Sequence, residues 1–333
     1  MRRLLIPLLL LALLLPAAAP AATPPAAGFA LWKEQFAGKL RRQGFSEATV
    51  SYFLDAAEYR EVPIRAQQRQ PEKTLRFDAY RNNLITTQRI ADGHQALREQ
   101  GTLIATIAAN YGIEREILAA LWGIESSYGR GMGKHPLIAS LATLAYAGKR
   151  RDFFEKELIA ALRIAQAGQL PSEKMVGSWA GAMGHYQFIP TTCQRFGLDG
   201  DGDGRVDLCG SYPDALASAG NYLHGLGWRP GDGRIVTVDA RKGMKLLPRE
   251  SETTGYRPAA HWKQAGLLPE NYPDDLARFK LVGADNGRSG CYLVAPGFDR
   301  LKEWNRSTYF ALTVMLLADQ LAQTPAPPAN HGQ

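Results

Sequence analysis

Glu125 closes an apolar run, Ile117-Leu118-Ala119-Ala120-Leu121-Trp122-Gly123-Ile124, and is followed by Ser126, Ser127, Tyr128 and Gly129. The run reads as a buried helix that the serines and glycine cannot prolong, so the carboxyl stands at the helix C-terminus. That end carries the negative pole of the helix dipole. Burial and the pole both disfavour ionisation, and the expected pKa rises. A carboxylic acid kept protonated near neutrality can give a proton to a leaving oxygen. Glycosidases usually pair two carboxylates. Here the next acids, Asp152, Glu155 and Glu157, fall in a charged amphipathic stretch. The competing reading of Glu125 is a surface glutamate at a helix end.

A second cluster is GSWAGAMGHYQFIPTT, residues 177–192. Its glycines and alanines imply close backbone approach. Trp179, Tyr186 and Phe188 offer flat faces, and Ser178 and Gln187 offer neutral hydrogen bonds, as sugar rings and N-acetyl groups require. Tight helix packing around core aromatics is the alternative. A third is DGDGDGRVDLCGSYPD, residues 199–214. Asp199, Asp201 and Asp203 alternate before Gly204, as at the start of an EF-hand loop. Arg205 would give its carbonyl, and Asp207 would act directly or through water. Gly210 stands where the bidentate glutamate belongs, and Asp214 could supply that carboxylate in a longer loop. A structural Ca2+ is expected; the alternative is an acidic turn that binds nothing tightly. A calcium-dependent structural protein would follow if this loop were the whole function.

The elements that must position these groups are mostly helical. Residues 29–110 show apolar recurrence at three and four, with one long amphipathic helix expected over 77–99 and a helix end at Tyr111-Gly112. Residues 111–228 carry helices separated by glycine-rich turns and read as the catalytic core. Residues 229–299 hold the β-rich runs RIVTVDAR, LARFKLVGAD and GCYLVAPG, a small β subdomain. Residues 300–322 return as a helix, and 323–333 read as a disordered tail. The class is mainly α (α+β).

Arg2 and Arg3, the leucine-rich run to Leu15 and the small residues to Ala22 read as a secretory signal peptide over 1–22. Residues 23–28 form a flexible lead-in. The apolar run is too short to span a bilayer, and no lipidation cysteine follows it. A periplasmic location is expected. About 310 residues remain, enough for an elaborated domain or two. The formal charge is +7, and loss of Arg2 and Arg3 lowers it to about +5 (37 basic against 32 acidic). That mild bias suits a polyanionic envelope polymer, and no nucleic-acid motif is present. In an oxidising compartment the close spacing favours a Cys193–Cys209 bridge over three thiols.

The sequences LWGIESSYGRGMG, LATLAYAGKRRDFF, GSWAGAMGHYQFIPTT, the acidic loop and NRSTYFA, in this order, resemble the B-type membrane-bound lytic murein transglycosylases over about residues 29–322. The resemblance implies a lysozyme-like helical core with a helical flanking domain. It implies cleavage of the β-1,4 bond between N-acetylmuramic acid and N-acetylglucosamine in peptidoglycan, by one glutamate acting first as acid and then as base. The product is a 1,6-anhydromuramyl end, and no cofactor takes part in the chemistry. Carried over, Glu125 is catalytic. Ser126, Ser178, Gln187 and Asn305 bind or orient the sugar. Tyr80 and Tyr222 wall the groove. Arg150 and Arg151 approach the peptide stem, unless they are a solvated charge run. Trp304 and Phe310 depart from the tyrosines expected there. The partners implied are glycan strands and cell-wall synthesis enzymes, with the chain a monomer. A muramidase with a second acid, or a silent wall-binding protein, would share these features.

Overall fold

The computed structural model describes residues 28–68, 75–168, 175–248, 253–274 and 276–323. The signal segment, the lead-in before Gly28 and the tail after Gln323 lie outside them. No described helix is long and apolar enough to cross a membrane.

Helices α1 (Phe29–Arg42), α2 (Glu47–Ala56), α3 (Glu61–Gln68), α4 (Phe77–Leu84), α5 (Thr87–Glu99) and α6 (Gly101–Tyr111) form the N-terminal part. The single helix expected over 77–99 is two. Ile85 leaves the helical region, and Thr86, extended at ψ 156°, accepts the N–H of Arg89 at 3.1 Å and starts a new helix. The end at Tyr111 falls where expected, because Gly112 is left-handed at φ 65°.

Next come α7 (Arg115–Ser126), β1 (His135–Pro136), α8 (Leu137–Ala147), α9 (Arg151–Gln166), β2 (Val176–Gly177), α10 (Pro190–Phe196) and α11 (Tyr212–Gly225). Strand β3 (Ile235–Val238), α12 (Ala240–Leu246), β4 (Arg257–Pro258), α13 (Ala259–Gln264), β5 (Arg278–Gly283) and β6 (Cys291–Val294) make the β-rich unit, and α14 (Gly297–Trp304) and α15 (Thr308–Ala322) close the chain. The three β-rich runs read from the sequence become β3, β5 and β6, in an antiparallel sheet of order β3-β6-β5-β4.

One apolar cluster runs from Phe36 and Leu40 through α7 and α8 to Met315 and Leu317 of α15. The N-terminal helices and the central ones therefore share a core, which removes their apolar faces from water together. A second, smaller cluster around Trp262, Phe279, Leu281 and Leu293 sits under the sheet. Cys193, Cys209 and Cys291 are all thiols, so the expected Cys193–Cys209 bridge is not formed. Cys193 faces the core from α10, and burial pushes its thiol up to about 12.

Candidate active site

Helix α7 is buried from Ile117 to Gly123 and carries Glu125 one residue before its end. The chain then makes a left-handed turn through Ser127 (φ 51°), Tyr128 (φ 58°) and Gly129 (φ 87°). Non-glycine residues reach this region only under tertiary constraint, and two contacts supply it. Tyr128 packs its phenol against Gly123, where an added Cβ would lie 2.5 Å from the hydroxyl oxygen, and donates to the Arg89 carbonyl at 3.1 Å. Ser126 Oγ accepts the Gly129 N–H at 3.0 Å and donates to the His185 carbonyl at 2.6 Å. Ser126 is only 2% exposed. It was expected to touch substrate; it braces the turn from behind.

The glycine-rich motif is drawn to this turn by β1 pairing with β2. Gly133 faces Gly177 so closely that a Cβ would lie 2.2 Å from the Gly177 carbonyl. The motif then folds back on itself. Met183 and Phe188 exchange N–H···O bonds at 2.9 Å, with Gln187 at φ 49°. The Gln187 amide donates to the carbonyls of Met132 (3.1 Å) and Gly184 (2.9 Å). Ser178 Oγ accepts from the amides of Ala180 (3.3 Å) and Ala182 (3.0 Å). Tyr186 and Phe188 are core residues, 3% and 2% exposed, not the open sugar faces anticipated. His185 is buried and accepts from Trp122 Nε1 at 3.0 Å through Nδ1; burial holds its pKa below the ordinary value, so the ring is neutral.

Glu125 opens into a groove of ≈ 770 Å³ lined with Arg150, Phe153, Gln187, Glu303, Trp304 and Asn305. Four of the residues singled out in sequence thus meet: Glu125, Arg150, Gln187 and Asn305. Arg150 lies 4.1 Å from the centre of the Phe153 ring. Arg151 lines an adjoining basic cavity of ≈ 500 Å³ with Lys149 and Arg150. Tyr80 is not among the groove's lining residues and tilts against Tyr309. Tyr222 does not present a ring face as a wall. Phe196 stacks on it at 4.4 Å and Trp304 at 4.7 Å, so both faces are covered.

Among the lining residues to which the sequence reading assigns no role are Trp304 and Glu303, whose polar groups stand near Glu125 or its groove. Trp304 Nε1 donates to Glu125 Oε1 at 2.8 Å. Its only signal was the departure from tyrosine. Glu303, whose side chain is 55% exposed, stands 3.5 Å from Arg300. It lies far from Glu125 in sequence, so no spacing argument could bring it in.

In the acidic loop, ligand oxygens of Asp199, Asp201 and Asp203 lie within 4.8 Å of one another. Asp199 accepts the N–H groups of Gly202, Asp203 and Gly204, which hold its carboxyl below the usual range. This hard-oxygen set fits a calcium ion. Asp214 is not in that trio. Ser211 caps α11 by accepting the Asp214 N–H, and Asp214 is 1% exposed, its two oxygens accepting from Gly200 (2.8 Å) and Asp207 (2.7 Å). Asp207 is turned to the amides of Cys209 and Gly210, and the Arg205 N–H bonds Asp203.

The family model for the transglycosylase SLT domain matches residues 28–319. Membrane-bound lytic murein transglycosylase B of Escherichia coli is 28% identical over 301 residues, covering 87% of this chain and 82% of that protein. SltB3 of Pseudomonas aeruginosa, solved with NAG-NAM-pentapeptide, is similar at a TM-score of 0.79 and 33% identity, covering 88% of this chain and 79% of that one. An Escherichia coli lytic transglycosylase solved in complex with calcium superposes at a TM-score of 0.70 and 26% identity, covering 91% and 94%. The helical architecture, the groove around Glu125 and these likenesses converge: the chain belongs to the transglycosylase SLT-domain family and is an enzyme of the lytic transglycosylase class.

Proposed function

We propose that this protein is a periplasmic lytic murein transglycosylase that cleaves the β-1,4 bond after N-acetylmuramic acid, with Glu125 serving both steps. The observation that carries the reading is Glu125 at the end of a buried helix, opening into a groove with amide and cationic side chains. Glu125 protonates the leaving glycosidic oxygen as the C1–O bond breaks. Its carboxylate then takes the proton of the muramyl C6 hydroxyl, whose oxygen bonds to C1. The 1,6-anhydro ring forms, no water is consumed, and Glu125 is restored to its acid form. Gln187 and Asn305 orient the sugar, and Arg150 and Arg151 meet the carboxylates of the peptide stem. The relative solved with NAG-NAM-pentapeptide supports a glycan strand with its peptide as substrate.

Asp199, Asp201 and Asp203 hold a structural calcium ion. Their convergence supports this, as does the relative solved with calcium. The N-terminal segment exports the chain.

Glu303 favours a second reading. It lines the same groove, and a carboxylate there could activate water and make the enzyme a muramidase. Product mass separates the two. Purified peptidoglycan digested by the wild type should give muramyl ends one water lighter than hydrolysis products, and Glu125→Gln should give none. Products of full hydrolytic mass that vanish in Glu303→Gln would replace this reading with the muramidase. Sacculus binding without any product would make the chain a wall-binding protein.

A further inference from the structure

We infer that Trp304 is a positioning residue that decides which oxygen of Glu125 carries the transferred proton. The inference rests on Glu125 being the acid and base of the reaction. The indole N–H is a donor and has no acceptor capacity, and it points at Oε1 at 2.8 Å. A protonated carboxyl has one carbonyl oxygen and one hydroxyl oxygen, and the carbonyl oxygen is much the better acceptor. The bond to Trp304 therefore makes Oε1 the carbonyl oxygen and leaves the proton on Oε2. In the second step the N–H stabilises the charge left on Oε1 while Oε2 takes the new proton. A tyrosine hydroxyl could donate or accept and would tolerate the proton on either oxygen.

The indole is held for this task. Tyr222 stacks on one face at 4.7 Å and 27°, itself backed by Phe196, and Phe188 meets the ring at 5.3 Å and 65°. Trp304 ends α14, where the backbone turns extended at Asn305 (φ −138°). The charged groups facing the same groove are Arg150, just before α9, Glu303 of α14 and Arg306 beyond its end. A cationic donor on Glu125 would hold it ionised; a neutral N–H orients it and leaves protonation within reach.

The test uses the full protein on soluble peptidoglycan fragments, with initial rates followed against pH. Trp304→Phe keeps an aromatic ring in the stack and removes the N–H. It should lower kcat about tenfold to a hundredfold and leave KM within about twofold. The alkaline limb of kcat/KM should move up by about one pH unit, because the carboxylate loses a donor. Trp304→Tyr should bring the limb part of the way back. In the wild type, the Trp304 indole 15N–H resonance should titrate with that limb, and Glu125→Gln should abolish the titration. A Trp304→Phe limb at the wild-type pH, with Glu125→Gln inactive, would overturn the role of Trp304 alone. Activity in Glu125→Gln would overturn the reading beneath it. If Trp304→Phe does not fold, the wild-type resonance decides, and its constancy across the limb would overturn the inference.

Discussion

Ser126 Oγ donates to the carbonyl of His185 at 2.6 Å, and the amide of His185 donates to the carbonyl of Leu208 at 3.0 Å. The neighbour of Glu125 is thereby joined, through one residue of the glycine-rich motif, to the distal part of the acidic loop. The turn that aims Glu125 and the loop read as a cation site are mechanically connected.

Ser126→Ala removes this joint and leaves the half-buried Gly129 N–H without its acceptor. Unfolding in urea should show a loss of about 1–3 kcal/mol. The turnover rate should fall, and binding to sacculi should not. An unchanged turnover rate would mean that the turn holds Glu125 without the serine.

Gly123→Ala places a Cβ 2.5 Å from the Tyr128 hydroxyl oxygen and 2.6 Å from its Cζ. Overpacking of this kind costs about 1–3 kcal/mol. Adding Tyr128→Phe should not restore stability, since the ring carbon remains. Thermal melting of the single and double variants checks this, and full recovery in the double variant would refute it.

Glu157 is buried beside α10 and accepts from the Thr191 N–H (2.9 Å) and hydroxyl (2.8 Å). Burial raises its pKa against these bonds. The folded chain keeps the proton to higher pH than the unfolded chain does. Between the ordinary and the raised value the native state binds more protons, so this contribution to stability falls as pH rises. Glu157→Gln should flatten that slope with little change in fold. Glu157→Ala should cost about 2–4 kcal/mol through a cavity and an unpaired Thr191 N–H. Denaturation across mildly acidic pH reads both, and a slope retained in Glu157→Gln would assign the pH dependence elsewhere.

Asp199 and Asp214 should separate under chelation. If calcium binds only the folded state, its removal lowers Tm by mass action, and Asp199→Asn should abolish that difference. Asp214→Ala should lower stability by about 1–3 kcal/mol with chelator present, because the Gly200 and Asp207 amides lose their acceptors. A loss confined to calcium-loaded protein would restore Asp214 as a ligand.

Local rules carried the sequence reading a long way. The left-handed Gly112, the helix ending just past Glu125, the three β-rich runs and the trio Asp199, Asp201 and Asp203 each depend on a few neighbouring residues. The break at Thr86 is hidden from the sequence because periodicity continues across it, and one side-chain cap outweighs the pattern.

By itself, the sequence determined the helix end at Glu125, the β-rich runs and the spacing of the acidic trio, because capping, periodicity and turn preferences act over a few positions. Tertiary structure alone decided what each side chain faces. Ser126 and Asp214 spend their polar atoms on backbone groups, Tyr222 spends both ring faces on packing, and Trp304 crosses 179 positions to reach Glu125. Those assignments depend on which buried donors and acceptors must pair once the core has closed, a constraint that long-range packing sets and that no local spacing encodes.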